Sequence, residues 1–259
     1  MILDEIAAKT RERVAALKQT KPLSEVKAQA EALDLNTGFP FENALRKDDI
    51  AFICEVKKAS PSKGVIAEDF PYLQIAKEYE AAGASAISVL TEPYYFQGSD
   101  QYLSEIAQAV SIPVLRKDFT VDSYQIYEAK LIGASAVLLI CALLDTDTLT
   151  EYLGIAHSLG LNAIVEAHTE EEVQSAIQSG ARIIGVNNRN LKTFEVDITT
   201  SARLRKLVPE STVFISESGI KTAADIAVLR DNKTNAVLIG ETFMRSPDKK
   251  KMLAELRGN

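Results

Sequence analysis

Two lysines and three glutamates of this chain stand where short apolar runs end. Glu55 and Lys57 close AFICEVKK, Lys117 closes PVLRKD, Glu166 closes NAIVEAH, and Glu217 closes TVFISES. Read as strands, such runs alternate their side chains, so Glu55 and Lys57 share a face with Ile53 and carry an acid and a base beside apolar bulk. Buried charges persist when paired, and five ionisable groups aimed at one space would be costly as mere structure. Neighbours of this kind push one another's proton affinities apart, which lets a site keep one acid and one base at neutral pH. The chemistry implied is proton transfer on a small molecule. A single lysine or glutamate at a strand end is more often a rim residue or a structural ion pair, so the argument rests on their convergence.

Convergence requires a scaffold, and the repeats supply one. EAAGASAISVL, KLIGASAVLLI, QSGARIIGV and DNKTNAVLIG each read as a helix end followed at once by a strand, with Gly83, Gly133 and Gly180 at the helix ends. Filling in between them gives eight strands ending near Val56, Leu90, Leu115, Ile140, Val165, Val186, Ile215 and Ile239, with amphipathic helical segments between. Eight such units without a linker point to a closed parallel barrel, whose strands are covered on both sides and read as continuous apolar runs. A doubly wound open sheet is disfavoured, because KKASPSKG stands where its glycine fingerprint would follow the first strand. No Walker motif, HExxH or GxSxG occurs. Ile2, Ile6, Val14 and Leu17 recur at helical spacing, and LSEVKAQAEAL reads as a second helix. The expected fold class is therefore α/β: a single (β/α)8 TIM barrel domain over residues 1–259, with residues 1–48 as an N-terminal helical extension.

In such a barrel the working face lies at the strand C-termini. Polar groups gather there: Arg116, Lys117 and Asp118 on the third strand, Asn187, Asn188 and Arg189 on the sixth, Ser216 to Gly219 on the seventh, Gly240 and Glu241 on the eighth. The fourth strand, Leu138 to Cys141, stays apolar, and the strand-opening residues are small, as in Ala86, Ala136 and Ala236. The loops SESG and IGE follow strands seven and eight, where barrels often hold phosphate on backbone N–H groups at helix starts. Ser60 and Lys63 of the first loop can reach the same group.

Composition narrows the partners. Lys plus Arg 29 against Asp plus Glu 36 gives a net charge of -7, spread along the chain, which argues against nucleic acid and anionic membranes. Cys54 and Cys141 lie inside apolar runs without disulfide or metal spacing, which fits a reducing compartment. The N-terminus is too charged for a signal peptide, and no stretch reaches the roughly 18 apolar residues of a membrane span. A cytoplasmic monomer acting on a small phosphorylated molecule is expected. His157 reads as interacting with the carbonyls of its helix end, and His168 as capping or orienting its loop. Tyr94, Tyr95 and Phe96 read as a loop packed over the site.

The runs CEVKKASPSKG, LRKDF, IVEAHTEEE, GVNNRNL and ISESGI, in this order and spacing across essentially the whole chain, resemble the indole-3-glycerol phosphate synthase family. That resemblance implies ring closure of 1-(2-carboxyphenylamino)-1-deoxyribulose 5-phosphate with loss of carbon dioxide and water, without metal or organic cofactor. It implies Lys117 as the general acid and Glu166, or else Glu55, as the base, with Lys57 and Asn187 also in the catalytic set. It assigns Phe119 to the anthranilate wall, Arg189 and Glu217 to substrate orientation, and Ser60, Ser218, Gly219, Gly240 and Glu241 to phosphate, with Leu238 among the substrate-binding residues. Glu241 is expected to offer only its backbone N–H, since a carboxylate repels phosphate. Two alternatives stay open at this point: a sugar-phosphate isomerase like phosphoribosylanthranilate isomerase, and a non-catalytic phosphate-ligand-binding barrel.

Overall fold

The computed structural model describes residues 2–190 and 193–258. Eight parallel strands close into one barrel: β1 (Ala51–Val56), β2 (Ala86–Leu90), β3 (Val114–Lys117), β4 (Ala136–Ile140), β5 (Asn162–Ala167), β6 (Ile183–Asn187), β7 (Val213–Glu217) and β8 (Ala236–Ile239). Each ends within two residues of the position expected from the sequence. Helices α1 (Ile2–Thr20), α2 (Leu23–Glu31) and α3 (Pro40–Leu45) precede the barrel. Between and after the strands come α4 (Tyr72–Ala82), α5 (Asp100–Ala109), α6 (Tyr124–Leu131), α7 (Thr146–Ser158), α8 (Glu170–Gln178), α9 (Thr199–Leu204), α10 (Ala223–Asp231), α11 (Glu241–Arg245) and α12 (Lys249–Arg257). Gly83, Gly133 and Gly180 adopt left-handed backbone that lets helix turn into strand within a few residues.

Alternation along each strand separates two cores. Outward residues such as Phe52, Cys54, Val56 and Ile87 pack under the helices, while Ile53, Leu115, Leu138, Ile164 and Ile215 fill the interior. Small side chains at the strand starts, Ala51, Ala86, Ala136 and Ala236, leave room on the barrel floor, and α3 fills it with Phe41 and Leu45, both fully buried. Polar groups fix this plug. The Glu42 backbone N–H donates to Asn162 Oδ1 (3.0 Å), Asn162 Nδ2 donates back to Glu42 Oε2 (3.3 Å), and Arg182 pairs with the same carboxylate at 2.7 Å. The six-residue α3 is too short to show a helical period, so the sequence did not announce it. Phe41→Ala would empty part of a floor that cannot collapse onto flanking alanines; it should lower unfolding stability by about 3–5 kcal/mol in urea titration.

The remaining extension spans the barrel from mouth to floor. At the mouth, Arg13 of α1 donates to buried Asp118 (2.7 Å) and Lys18 to Asp122 (2.6 Å), next to the end of β3. Helix α2 packs on α6 through buried Val26 and Ala30. The segment after it is tied down by Lys130 Nζ donating to the Asp34 carbonyl and by Thr37 Oγ1 donating to the Gly160 carbonyl, both 2.6 Å. His157, expected to serve its helix end, instead sets its ring edge-on to Phe39 of this segment at 5.8 Å.

Candidate active site

A cavity of about 760 Å³ opens at the C-terminal ends of the strands, and all eight strands contribute to its walls. Every site residue expected from the sequence lines it: Glu55, Lys57, Ser60, Lys117, Phe119, Glu166, Asn187, Arg189, Glu217, Ser218, Gly219, Leu238, Gly240 and Glu241. At its centre the Lys117 ammonium donates to Glu217 Oε2 (2.7 Å) and to Glu166 Oε2 (3.1 Å). Asn187 Nδ2 approaches Glu166 Oε1 at 3.4 Å, and Lys57 Nζ donates to Glu55 Oε1 beside this group.

The surroundings separate the proton affinities of these groups. Burial works against charge on Lys117, but the carboxylates of Glu217, Glu166 and Glu55 outweigh it and hold the ammonium above the usual lysine range. Burial also opposes charge on Glu166, yet Lys117 and His168 outweigh it and hold this carboxyl well below the usual range. Glu217 goes the other way: burial raises it, Lys117 only partly offsets that, and the charges of Glu166 and Glu55 raise it further. At neutral pH the cavity therefore holds a protonated lysine against an ionised glutamate, an acid and a base in contact.

Two glycines make room for these charges. A Cβ at Gly185 of β6 would collide with Glu217 Oε1, and one at Gly240 would collide with Glu55 Oε1 and lie 2.8 Å from Lys57 Nζ. Gly240 thus admits the Glu55–Lys57 pair as well as opening the loop after β8. At the β7 end, Ser218 (φ 70) and Gly219 (φ 82) are consecutively left-handed, and for serine that backbone is strained.

The helix after this loop is capped locally. Thr222 and Asp225 form a reciprocal capping box at the start of α10, and Asp225 also accepts from the Lys221 N–H, so the N–H groups of Lys221, Thr222 and Asp225 are engaged within this turn. The Glu241 carboxylate accepts from Arg245 Nε (3.0 Å) and lies 3.7 Å from Lys63 Nζ.

The structure also divides the polar strand ends. Arg116 takes the outward phase of β3 and is buried among Asp100 (2.8 Å), Glu128 (2.7 Å) and the Gln125 carbonyl. Asn188 likewise turns outward to Ser201 and Ser216. These are structural networks behind the barrel wall. Arg189 lines the cavity, but its backbone N–H donates to Asn187 Oδ1 (3.0 Å) and its Nη1 to the Phe194 carbonyl (3.2 Å), so it holds its own loop. Leu191 of the NNRNL run lies outside the described residues.

Some of the wall was not foreseen. Ile2, Leu3 and Ile6 of α1 line the cavity, as do Leu138 and Ile140 of the apolar β4. Phe96, expected in a loop packed over the site, does line the cavity, 5.9 Å from Phe119. Its anchor was missed: the fully buried Glu92 carboxylate accepts the N–H groups of Tyr94, Tyr95 and Phe96, and a glutamate two residues before a turn is the local signal for it.

Comparison with known proteins decides the family. A sequence-family model for indole-3-glycerol phosphate synthase matches residues 3–256. An indole-3-glycerol phosphate synthase of Ruminiclostridium cellulolyticum is 64% identical over the whole length of both chains. The chain belongs to the indole-3-glycerol phosphate synthase family. A second member, from Endomicrobium trichonymphae, is 56% identical over 99% of this chain and 100% of its own. Among solved structures, a 3-hexulose-6-phosphate synthase superposes with a TM-score of 0.63 at 15% identity, covering 81% of this chain and 99% of its own, which speaks to the barrel fold alone. Membership of the indole-3-glycerol phosphate synthase family sets aside the isomerase alternative. Cys54 is fully buried on the outward face of β1, and burial pushes its proton affinity far up, so it offers the cavity no thiol.

Proposed function

We propose that this chain closes the indole ring of 1-(2-carboxyphenylamino)-1-deoxyribulose 5-phosphate, giving indole-3-glycerol phosphate, carbon dioxide and water, as a carbon–carbon lyase of tryptophan biosynthesis. The observation that carries the reading is the Lys117 ammonium held between Glu166 and Glu217 at the centre of the cavity. In the first step the ring carbon bearing the carboxylate attacks the ribulose carbonyl, and Lys117 donates the proton that the carbonyl oxygen takes up. Positive charge developing on the anilino nitrogen is stabilised by the nearby carboxylates. Loss of carbon dioxide returns its electron pair to the ring.

Dehydration then removes the hydroxyl made in the first step as water, the Lys57 ammonium, freed once the carboxylate has left, giving the proton it departs with. Glu166, ionised and in contact with Lys117, takes the proton released in this step, with Glu55 as the second carboxylate in reach of the same space. Lys57 holds the substrate carboxylate until it leaves, and Asn187 orients Glu166. Ser60, the Ser218–Gly219 turn, Gly240 and the Glu241 backbone N–H receive the phosphate, and Lys63 and Arg245 add positive charge at the same rim. Phe119, Phe96, Leu238 and the α1 residues give the anthranilate ring an apolar wall. We place this activity in the cytoplasm, where the free thiols of Cys54 and Cys141 persist.

Supplying the carboxyphenylamino ribulose phosphate and following indole fluorescence tests the reading. Product should appear with the purified chain alone. Binding without product would point to a ligand-binding barrel, and turnover of phosphoribosylanthranilate instead would point to an isomerase.

A further inference from the structure

We propose that His168 is a positioning residue for the reaction: clamped between Glu166 and Glu172, it holds the Glu166 carboxylate through Oε1 and leaves Oε2 to Lys117. The inference rests on the reading of Glu166 as the base.

The clamp is built from two elements. Thr169 caps α8 by accepting the Glu172 N–H (3.2 Å), and the Glu172 carboxylate reaches back to the His168 backbone N–H (2.6 Å). The same Glu172 oxygen lies 3.1 Å from His168 Nδ1, so the carboxylate that closes the helix start also fixes the ring. On the other side, His168 Nε2 is buried, makes no regular hydrogen bond, and stands 3.4 Å from Glu166 Oε1. The ring is 13% exposed and Glu166 4%, so solvent does little to screen the contact.

This geometry settles the protonation of the ring. With Glu172 at Nδ1, that nitrogen must carry hydrogen. A neutral ring would then turn the Nε2 lone pair toward a carboxylate oxygen, which is repulsive; only the imidazolium satisfies both acids. Burial opposes the charge, but the nearby carboxylates of Glu166 and Glu172 outweigh it and raise the imidazole to about 10. The other titratable neighbour, Cys141 at the end of β4, lies with its thiol on the Glu172 carbonyl; burial and then the charges of Glu172 and Glu166 push it up to about 12, so it stays neutral. Lys117 from β3 and Asn187 from β6 complete the groups on Glu166.

Glu166 therefore faces two cations, and His168 is the one not needed as an acid. Without it Glu166 keeps one cation, Lys117, and the amide of Asn187; its proton affinity rises, and its Oε1 is held by that amide alone. The experiment compares kcat, KM and the acid limb of the kcat–pH profile for wild type, His168→Ala, His168→Gln and Glu172→Gln, with circular dichroism on each. In His168→Ala, kcat should fall on the order of 10²-fold with little change in KM, and the acid limb should move to higher pH. His168→Gln offers an uncharged N–H to Glu166, so it should recover part of kcat while the limb stays displaced. Glu172→Gln should fall between, since it frees the ring but leaves it in place. Wild-type turnover with kcat and acid limb unmoved in both folded His168 variants would overturn the inference alone. A lower melting temperature with an unmoved limb in His168→Gln would mark a structural role and overturn it as well. No turnover by wild type would overturn the proposed function on which it rests.

Discussion

Lys117→Ala should abolish turnover, with kcat lowered on the order of 10²–10⁴-fold and the barrel intact. The ammonium pairs with both Glu166 and Glu217, and the truncated side chain offers no donor to the carbonyl oxygen. The fold should survive because the two carboxylates left behind can share a proton. Glu217 is already held high by burial, and losing its cation raises it further, so it accepts that proton near neutral pH. Substrate should still bind, since phosphate and ring are received by other residues. Indole fluorescence gives kcat and far-ultraviolet circular dichroism gives the fold; turnover within tenfold of wild type would remove Lys117 from the acid role.

The second large effect should separate two glutamates that touch the same lysine. Glu166→Gln removes the proposed base, and kcat should fall on the order of 10²–10⁴-fold. Glu217→Gln removes a group that positions Lys117, so its loss of rate should be smaller. Stability should move in opposite directions. Glu166 is depressed in the folded protein, so its contribution is present above the unfolded value near 4.5 and is lost as pH falls through the folded one. Glu217 is raised from 4.5 to about 7, so the folded state binds more protons than the unfolded across that window, and stability falls as pH rises through it. Glu217→Gln should therefore melt higher than wild type at pH 8 and gain less at pH 5, while Glu166→Gln should gain nothing at pH 8. Thermal melts at the two pH values check this; equal shifts for both variants would contradict the assignment.

The charged centre was legible because strand alternation and the barrel's one working end are rules that act locally. Glu55, Lys57, Lys117, Glu166 and Glu217 could be placed at one end of the barrel from the apolar runs they close. The same rule, applied only to strand ends, could not tell Lys117 from Arg116 beside it: adjacent residues face opposite ways, and the sequence shows both as charge. Residues that act through close approach were silent. Gly185 looks like any glycine in a strand until the Glu217 carboxylate is seen against it. The wall formed by Ile2, Leu3 and Ile6 depends on where α1 docks, which is set by Arg13 meeting Asp118 across 105 residues of chain. The floor plug was hidden for a third reason, since six residues cannot display a period.

The route of the extension from mouth to floor has a consequence for biosynthesis. Phe41 and Leu45 are made before the barrel strands, yet Ala236, one of the alanines that make their seat, belongs to β8, and β1 meets β8 only after the six strands between them have been made. Until then the two side chains have no socket and remain a sticky segment on a growing polypeptide. Ring closure and floor sealing thus coincide once β8 has emerged, and the nascent chain must be kept from self-association over the interval between α3 and β8. A fusion that delays release of the C-terminal strand should lengthen that exposed interval, whereas one at the N-terminus leaves its length unchanged.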